Sequence, residues 1–380
     1  MNILHICTQE PSFYSGGVLC VYQSYYALTS LYDNVDYAGP TISNKEIASK
    51  YRKTYYLDTP ISKFTKAKIL MQMQFDRTFA NWKKTNIDFN NYDVIYIEFT
   101  KMEYVVKDIV NSSFKGKIVV RAHNVEQDFY RIEFKNEKTL LRFLKYKLSG
   151  KSEQFMLRHA DRVLAITDND RKRFMDVYNL PENKVVVFPV GVNHVKNSRN
   201  LHSVINGRIK CLITGSLWFG PNCNGVKWFI NNVWPMVKDI CDLTLAGSRP
   251  LSEIKELCIK EGITLIESPD SMQPFFEISD MVLVPIFEGG GMKVKIAEAM
   301  SYGLPIVTTS HGAIGYEFEN GVNGYIADHA EKFSVAIRTY YNMSSERKEQ
   351  FLESENNLYK NNYCLEAIVR DVQEIIESLG

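Results

Sequence analysis

The sequence predicts an α/β protein with two domains in tandem, each built on a parallel β-sheet covered by helices. Three observations predict this class. The chain of 380 residues is long for a single core, short apolar runs alternate with helical segments, and both halves begin with a strand, a glycine turn and a helix. We therefore expect an N-terminal domain at 1–195 and a C-terminal domain at 206–364.

The first half opens with the apolar run 2–7, a turn at Gly16 and Gly17, and a helical stretch. Its later apolar runs are continuous rather than alternating, which is typical of strands buried on both faces. These predicted strands are 94–99, 117–123, 162–167 and 184–190.

The second half repeats this order with a strand at 210–214, a turn at Gly215 and a helix at 224–237. Further strands are predicted at 243–247, 263–268, 281–287 and 304–310. The polar stretch 191–207 is typical of a linker. The amphipathic segment 365–379 predicts a helix that can cross back onto the first domain.

The composition is that of a globular protein, with 45% hydrophobic residues and a formal net charge of +1. No nucleic-acid partner is expected. The balance hides an asymmetry, because Lys and Arg outnumber Asp and Glu by 28 to 21 in residues 1–190, whereas the acids lead by 23 to 17 in the remainder. The two halves are thus expected to carry opposite electrostatic fields.

The seven cysteines are scattered and form no CxxC pair, which argues against a zinc site and against a disulfide framework. Core thiols in a reducing cytoplasm are expected instead. The N-terminus lacks the features of a signal peptide, and no stretch approaches the ~20 apolar residues of a membrane span. We therefore expect a cytoplasmic protein whose membrane contact, if any, is peripheral.

Residues 287–316 carry the strongest functional signal. Gly289, Gly290 and Gly291 open a predicted helix that bears Lys293 in its first turn and Glu298 further on. Glycine backbone can approach a ligand closely, and a helix N-terminus favours a phosphate. A carboxylate at Glu298 can accept hydrogen bonds from ribose hydroxyls. The alternative is an ordinary helix with a glycine-rich cap.

Two stretches of the first half, 62–85 and 135–158, combine Lys and Arg with aromatic residues at helical spacing. Basic amphipathic helices can lie on anionic lipid. Solvated faces of packed helices have the same pattern, so both interpretations stay open.

Several pieces occur together in a recognisable order. Four shorter segments come first along the chain: the Gly16-Gly17 pair, RAHNVEQDFYR (121–131), ADRVLAITDND (160–170) and FPVGVN (188–193). Two longer segments follow them: TGSLWFGPNCNGVKWFINNVWPMV (214–237) and GGGMKVKIAEAMSYGLPIVTTSHGAIGY (289–316). With these pieces the chain resembles the group 1 glycosyltransferases, family 4 of the retaining enzymes with the GT-B fold. The resemblance is strongest from Cys211 to Tyr325 and weakest from Asn34 to Asn91.

The resemblance implies two Rossmann-like domains that face each other across a cleft, with the nucleotide-sugar donor on the C-terminal domain and the acceptor on the N-terminal domain. This agrees with the placement of the phosphate site in the second half and with ligand binding at the carboxyl ends of parallel strands.

Glu298 matches the second glutamate of the family's Glu-x7-Glu motif, which binds the ribose. The place of the first glutamate holds Gly290, so we assign its contact with the donor sugar to Glu288. The family's Arg and Lys after the first strand of the second domain are also missing, with Ser216 and Asn222 near their places.

Lys293 is expected to supply the positive charge at the diphosphate in place of the missing Arg and Lys. Arg249 and Lys295 are the next candidates for this role. Surface cations that snorkel from a helix or loop are the alternative. The backbone amides of Gly289 to Met292 complete the predicted donor site.

His123 matches a family histidine that faces the donor sugar, although a histidine at a strand end can also be purely structural. Gly16 and Gly17 would let the first loop approach the phosphates or the acceptor, or they form a simple turn.

The resemblance thus implies transfer of a hexose from a nucleoside diphosphate sugar, preferably a UDP-sugar, with retention of configuration and without a metal or other cofactor. Glu288, Lys293 and His123 are the predicted catalytic residues. A metal-dependent alternative rests on Asp168-Asn169-Asp170, which we interpret instead as a helix N-cap with acids at the positive end of the helix dipole. A UDP-sugar 2-epimerase and a non-catalytic nucleotide-sugar-binding protein are further alternatives.

The acceptor is expected to be a glycan, preferably a lipid-linked oligosaccharide at the inner face of the membrane, as in capsule or other surface polysaccharide biosynthesis. An anionic membrane surface would then be a second partner, because the first half is basic.

Overall fold

The computed structural model describes residues 1–12, 16–58, 79–193 and 207–380. The chain divides into two compact units, Met1–Val190 with Ile368–Gly380, and Gly191–Ala367. Each unit contains one parallel sheet, so the predicted α/β class is confirmed for both. Most of the predicted basic helix at 62–85 and of the predicted linker at 191–207 lies outside the described residues.

The first unit is built on seven parallel strands in the order β3-β2-β1-β4-β5-β6-β7. The strands are β1 (Asn2–Ile6), β2 (Asn34–Gly39), β3 (Lys53–Tyr56), β4 (Val94–Glu98), β5 (Lys117–Ala122), β6 (Arg162–Ala165) and β7 (Val185–Val187). The helices are α1 (Gly16–Leu31), α2 (Lys45–Lys50), α3 (Phe79–Trp82), α4 (Glu103–Asn111), α5 (Glu126–Asn136), α6 (Leu140–His159) and α7 (Asp168–Tyr178).

The second unit is built on six parallel strands in the order β10-β9-β8-β11-β12-β13. The strands are β8 (Ile209–Ser216), β9 (Cys241–Ser248), β10 (Thr264–Glu267), β11 (Met281–Val284), β12 (Ile306–Thr308) and β13 (Tyr325–Ile326). The helices are α8 (Gly220–Trp228), α9 (Ser252–Glu261), α10 (Gln273–Ile278), α11 (Val294–Ser301), α12 (Ala330–Tyr341), α13 (Ser345–Asn362) and α14 (Leu365–Glu377). The last helix continues into the first unit from Ile368.

The apolar runs of the sequence form the central strands because both faces of each sheet are covered. Every residue of β4 and of β11 is buried, and on one face of each sheet alternate strand residues join an apolar cluster with the helices that cover that face. Such continuous burial is the reason why these strands show no alternation of polar and apolar residues.

Three strands were not predicted: β2, β3 and β13. The run of β2 is interrupted by Asp36, whose buried carboxylate accepts hydrogen bonds from the Arg52 guanidinium at 2.8 and 2.9 Å and from the Tyr92 hydroxyl at 2.7 Å. A buried carboxylate paired in this way is tolerated inside a sheet, but it breaks the apolar pattern. β13 has only two residues.

Two helix starts differ from the prediction. Gly16 and Gly17 are the first residues of α1 rather than a turn before it. Lys293 has non-helical dihedrals (φ −90°, ψ 88°) and precedes α11 instead of lying in its first turn. The predicted end of α11 is confirmed, because Gly303 has a left-handed φ of 63° and its N–H donates to the Met300 carbonyl at 2.9 Å.

All seven cysteines are buried free thiols, as predicted. Within the described ranges, no helix combines the length and the apolar character needed to cross a bilayer.

Candidate functional site

The candidate site of the second unit lies at the carboxyl edge of its sheet. The strand order reverses between β8 and β11, and the loops that leave these two strands are 217–219 and 285–293. Open α/β sheets bind ligands at such a switch point, beyond the carboxyl ends of the strands. The glycine-rich loop found in the sequence is therefore where a ligand site is expected.

The loop is organised around the ammonium group of Lys293. Its Nζ donates to the carbonyl oxygens of Gly289 at 3.3 Å, Gly290 at 3.2 Å and Gly291 at 2.8 Å. Gly289 and Gly291 have φ values of 96° and 67°, which side chains with a Cβ rarely adopt. The structure thus places the Lys293 ammonium on the loop itself, and the predicted contact with a phosphate stays a prediction.

The three carbonyl groups that accept hydrogen bonds from Lys293 determine the direction in which the N–H groups of the same peptides point. In a trans peptide the N–H points opposite to the carbonyl of the same peptide, so the N–H groups of Gly290 and Gly291 face away from the ammonium. Within the described ranges, these two amides and those of Val294 and Lys295 at the start of α11 have no acceptor. Unpaired amides at a helix N-terminus are suited to an anion.

Two side chains that the sequence analysis missed hold this arrangement. His311, which follows β12, donates from Nε2 to the Gly289 carbonyl at 2.6 Å. The Tyr316 hydroxyl accepts from the Ala297 N–H at 3.2 Å and donates to the Lys293 carbonyl at 3.1 Å. His311 could have been found from its position after a predicted strand, whereas the contact of Tyr316 depends on the folded loop.

The two glutamates predicted to bind the donor differ in environment. Glu288 is exposed and accepts a hydrogen bond from Asn224 Nδ2 at 2.8 Å. Glu298 lies on α11, and no donor contacts its half-buried carboxylate in the described part of the chain. Burial raises the pKa of Glu298, and the charge of Lys295 partly opposes this effect. Met292 is buried beside the loop.

Lys295 lies at the switch point itself. Its Nζ donates to the Thr214 carbonyl at 2.5 Å and to Asn222 Oδ1 at 3.0 Å, beside a small cavity lined by the ends of β8 and β11. Gly215 has a φ of 145°, which side chains with a Cβ rarely adopt, and an added Cβ would lie 2.6 Å from this ammonium, so glycine is favoured there. Burial, together with the charge of Lys293, lowers the pKa of Lys295 to about 8 despite the opposing effect of Glu298.

Ser216 ends β8, and its carbonyl accepts from Asn222 Nδ2 at 3.0 Å. Arg249 follows β9 with a φ of 48°, and its guanidinium lies 4.4 Å from the ring centre of the exposed Trp218. Arg249 is therefore held at the same sheet edge by a cation–π contact.

The first unit contains a buried cluster around His123, which follows β5. His123 Nε2 donates to Glu98 Oε2 at 2.5 Å, and its ring stacks on Phe99 at 3.8 Å between centres. His5 Nε2 lies 3.5 Å from the other oxygen of Glu98. His123 is 8% exposed and Glu98 is fully buried. The sequence analysis missed Glu98, because its partner lies on the neighbouring strand.

The charges of this cluster are strongly coupled. Burial would raise the pKa of Glu98, but the hydrogen bonds from His123 and His5 and the charge of Arg121 hold it well below its usual range. Burial would lower the pKa of His123, but the neighbouring Cys20 and Glu98 raise it. The two pKa shifts have opposite directions, as expected for a carboxylate and an imidazole that are hydrogen-bonded away from solvent.

The Asp168-Asn169-Asp170 segment forms the first turn of α7, with Thr167 as the N-cap, rather than the N-cap itself. Asp168 pairs with Arg171 at 3.4 Å and with Lys172 at 2.6 Å. Among the residues that the structure describes, no three potential metal-ligating side chains come together.

Comparison with known proteins adds to this geometry. Residues 208–343 match the family described as Glycosyl transferases group 1. An uncharacterized 44.6 kDa protein in the cps region of Klebsiella pneumoniae is 28% identical over 274 residues, which cover 68% of each chain.

Two solved structures share the fold over nearly the whole length. Anabaena HepE, determined in complex with UDP and glucose, is 14% identical and aligns with a TM-score of 0.66 over 100% of both chains. WaaG, a glycosyltransferase involved in lipopolysaccharide biosynthesis, is 13% identical and aligns with a TM-score of 0.64 over 98% of this chain and 99% of its own. These similarities confirm the predicted GT-B fold with two Rossmann-like units.

Proposed function

We propose that this chain, whose residues 208–343 match the family described as Glycosyl transferases group 1, transfers a hexose from a UDP-sugar to a glycan acceptor with retention of configuration. The single observation that carries the proposal is the open set of amides at Gly290, Gly291, Val294 and Lys295. UDP is proposed because HepE, which has the same fold, binds it.

The chemistry follows from where negative charge develops. As the bond between the sugar and the β-phosphate breaks, the departing phosphate gains charge, and donors already directed at it stabilise the transition state more than the ground state. The loop amides, the α11 N-terminus and the ammonium of Lys295 are the donors at this edge. The departing phosphate would itself accept the proton of the acceptor, so the proposed mechanism needs neither a protein base nor a metal.

Glu298 supports the nucleotide part of the proposal. Its carboxylate has no protein partner among the described residues and lies on the helix whose N-terminus would face the phosphates. A half-buried carboxylate without a donor is suited to the paired hydroxyls of a ribose. The proposed contact of Glu288 with the sugar requires its hydrogen bond with Asn224 to adjust.

The first experiment is a thermal-shift screen of UDP-, GDP- and ADP-sugars. A ligand at 100 times its Kd stabilises a protein by about 2.7 kcal/mol. UDP-sugars should stabilise the wild type, and Glu298→Gln should weaken this effect, whereas Glu256→Gln at an exposed site on α9 should not. Absence of stabilisation by any nucleotide sugar would contradict the proposal.

Transfer is tested with a lipid-linked oligosaccharide acceptor and analysis of the anomeric configuration of the product. Full activity in EDTA is expected. Inversion, or loss of activity in EDTA, would refute the retaining or the metal-independent part respectively. Free epimerised sugar would support an epimerase, and donor binding without turnover would support a non-catalytic protein.

A surface on the first unit supports a lipid-linked acceptor. Helices α5 and α6 leave five large apolar side chains exposed, namely Phe129 (47%), Ile132 (58%), Leu140 (74%), Leu141 (55%) and Phe143 (37%). Between residues 129 and 151, Lys and Arg outnumber Asp and Glu by seven to two. Apolar side chains rimmed by cations match the interface of an anionic membrane, so we place the enzyme peripherally at the inner membrane face.

Sedimentation with vesicles that contain phosphatidylglycerol tests this surface. Binding should fall as salt rises, and the double variant Leu140→Ser and Leu141→Ser should reduce it. The control is Ile259→Ser, because Ile259 is 82% exposed on the second unit. Equal binding by both variants would exclude the α5–α6 surface.

A further inference from the structure

The buried cluster of the first unit contains a residue whose role goes beyond the proposed function. Glu98 is the last residue of β4. His123 is the first residue after the adjacent strand β5, on which Arg121 is the register partner of Glu98. The parallel register therefore brings the carboxylate beside the imidazole at the carboxyl edge of the sheet. We propose that Glu98 is a positioning residue that holds His123 as an imidazolium, with one ring edge fixed and the other available to donate.

The first step of the argument is the fixed edge. Glu98 Oε2 accepts from His123 Nε2 at 2.5 Å, in a setting where both side chains are excluded from solvent. A hydrogen bond between two charged groups is stronger and shorter than a neutral one. The ring is held from its face by Phe99, whose φ of 69° is unusual for a residue other than glycine. The backbone thus adopts a strained conformation where it supports this ring.

The second step is the other edge of the ring. His123 Nδ1 is buried and has no hydrogen-bond partner among the residues that the structure describes. Since buried polar groups are nearly always paired, an unpaired nitrogen needs an explanation. With Nε2–H bonded to a carboxylate, a protonated ring carries its second proton at Nδ1, which can donate to an oxygen of a substrate.

The third step concerns the charged groups around the pair. Those that face it are His5 from β1, Cys7 directly after β1, Cys20 from α1, Tyr96 from β4, Arg121 from β5 and Glu126 from α5. The Arg121 guanidinium is already engaged, because it donates to the Cys20 carbonyl at 2.6 Å and to Gln23 Oε1 at 2.9 Å. Glu98 is the carboxylate that contacts the ring, so its removal should lower the pKa of His123, with Cys20 and the charge of Glu126 left to oppose burial.

The experiment follows the protonation of His123 by NMR of the full-length chain with labelled histidine, from pH 6 to pH 9. The pKa of His123 in the wild type should lie above the ordinary histidine value of about 6.5. In Glu98→Gln the pKa of His123 should fall below that of the wild type, and Glu98→Asp should restore part of the difference. Glu103→Gln, which removes a surface carboxylate paired with Lys107, is the control.

The wild-type titration alone decides the proposal if Glu98→Gln does not fold. A wild-type His123 pKa at or below about 6.5 would overturn it, as would the same pKa in Glu98→Gln as in the wild type.

The catalytic part rests on the proposed transfer reaction. Glu98→Gln should lower kcat roughly 100-fold, the usual cost of displacing a positioned group by about 1 Å, while the KM for the donor changes much less. It should also introduce a loss of activity as pH rises through the lowered pKa of His123. An unchanged pH profile would refute the role in catalysis. The charge state of His123 would still be decided separately by the NMR titration. Absence of transfer in the wild type would count against the proposed function and not against the charge state.

Discussion

Glu355 gives a prediction about stability that can be worked from the structure. It lies on α13 between Phe351 and Tyr359, at a spacing of four residues, and all three side chains are buried. Neither oxygen of the Glu355 carboxyl has a hydrogen-bond partner among the described residues. A buried polar group left without a partner costs about 1–3 kcal/mol. Replacement by Met, which is similar in length and apolar, should raise the free energy of unfolding by about that amount.

The effect should depend on pH in a defined direction. Burial raises the pKa of Glu355 well above its ordinary value. The folded chain therefore keeps a proton that the unfolded chain loses above a pH of about 4.3, so the wild type loses stability as pH rises toward the folded pKa. The loss is about 1.4 kcal/mol for each pH unit in that window. The gain in free energy of unfolding caused by Glu355→Met should thus be smallest at pH 4 and grow toward neutral pH.

Thermal and urea unfolding of both proteins between pH 4 and pH 8 measure this difference. For a unit of 150–250 residues, 1 kcal/mol corresponds to a rise in Tm of about 2–4 °C. Glu353→Met, at an exposed position of the same helix, is the control and should show no such pH dependence. The reasoning is refuted if Glu355→Met is destabilising at neutral pH or if its advantage does not change with pH.

Two further predictions concern the lysines of the donor site. Because the pKa of Lys295 is about 8 and an anion favours the ammonium form, UDP binding at pH 8 should take up protons. Calorimetry in buffers of different ionisation enthalpy measures this uptake, and Lys295→Met should abolish it; equal heats in all buffers for the wild type would contradict the prediction. Lys293→Met removes the donor to three loop carbonyls and should weaken UDP binding about tenfold or more, through the loop geometry rather than through charge. Binding as tight as in the wild type would show that the ammonium does not organise the loop.

The sequence predicts most of the fold because the central strands are continuous apolar runs. It misses β2 for a physical reason: Asp36 is buried there as the partner of Arg52 and Tyr92, and such pairing is visible only after folding. The short β13 owes its strand geometry to pairing with β12 rather than to its own residues.

The candidate site is predictable where its function depends on backbone. Glycines followed by a helix indicate the loop, and the helix ends at Gly303 as expected. The directions of long side chains are not predictable from the sequence, since Lys293 turns back onto the loop and Lys295 turns into the sheet edge. The contact between Glu98 and His123 depends on strand register, which the sequence pattern does not specify.

The central claim is that the glycine-rich loop and the start of α11 hold the diphosphate of the donor. The most direct measurement is calorimetric titration of UDP into the wild type, Gly291→Ala and Gly262→Ala. Gly291 and Gly262 have nearly the same left-handed φ, 67° and 65°, and an added Cβ would meet no atom within 4 Å at either position. Both variants should therefore lose about 1–2 kcal/mol of stability. We predict weaker UDP binding only for Gly291→Ala, and equal affinity of the two variants would contradict the claim.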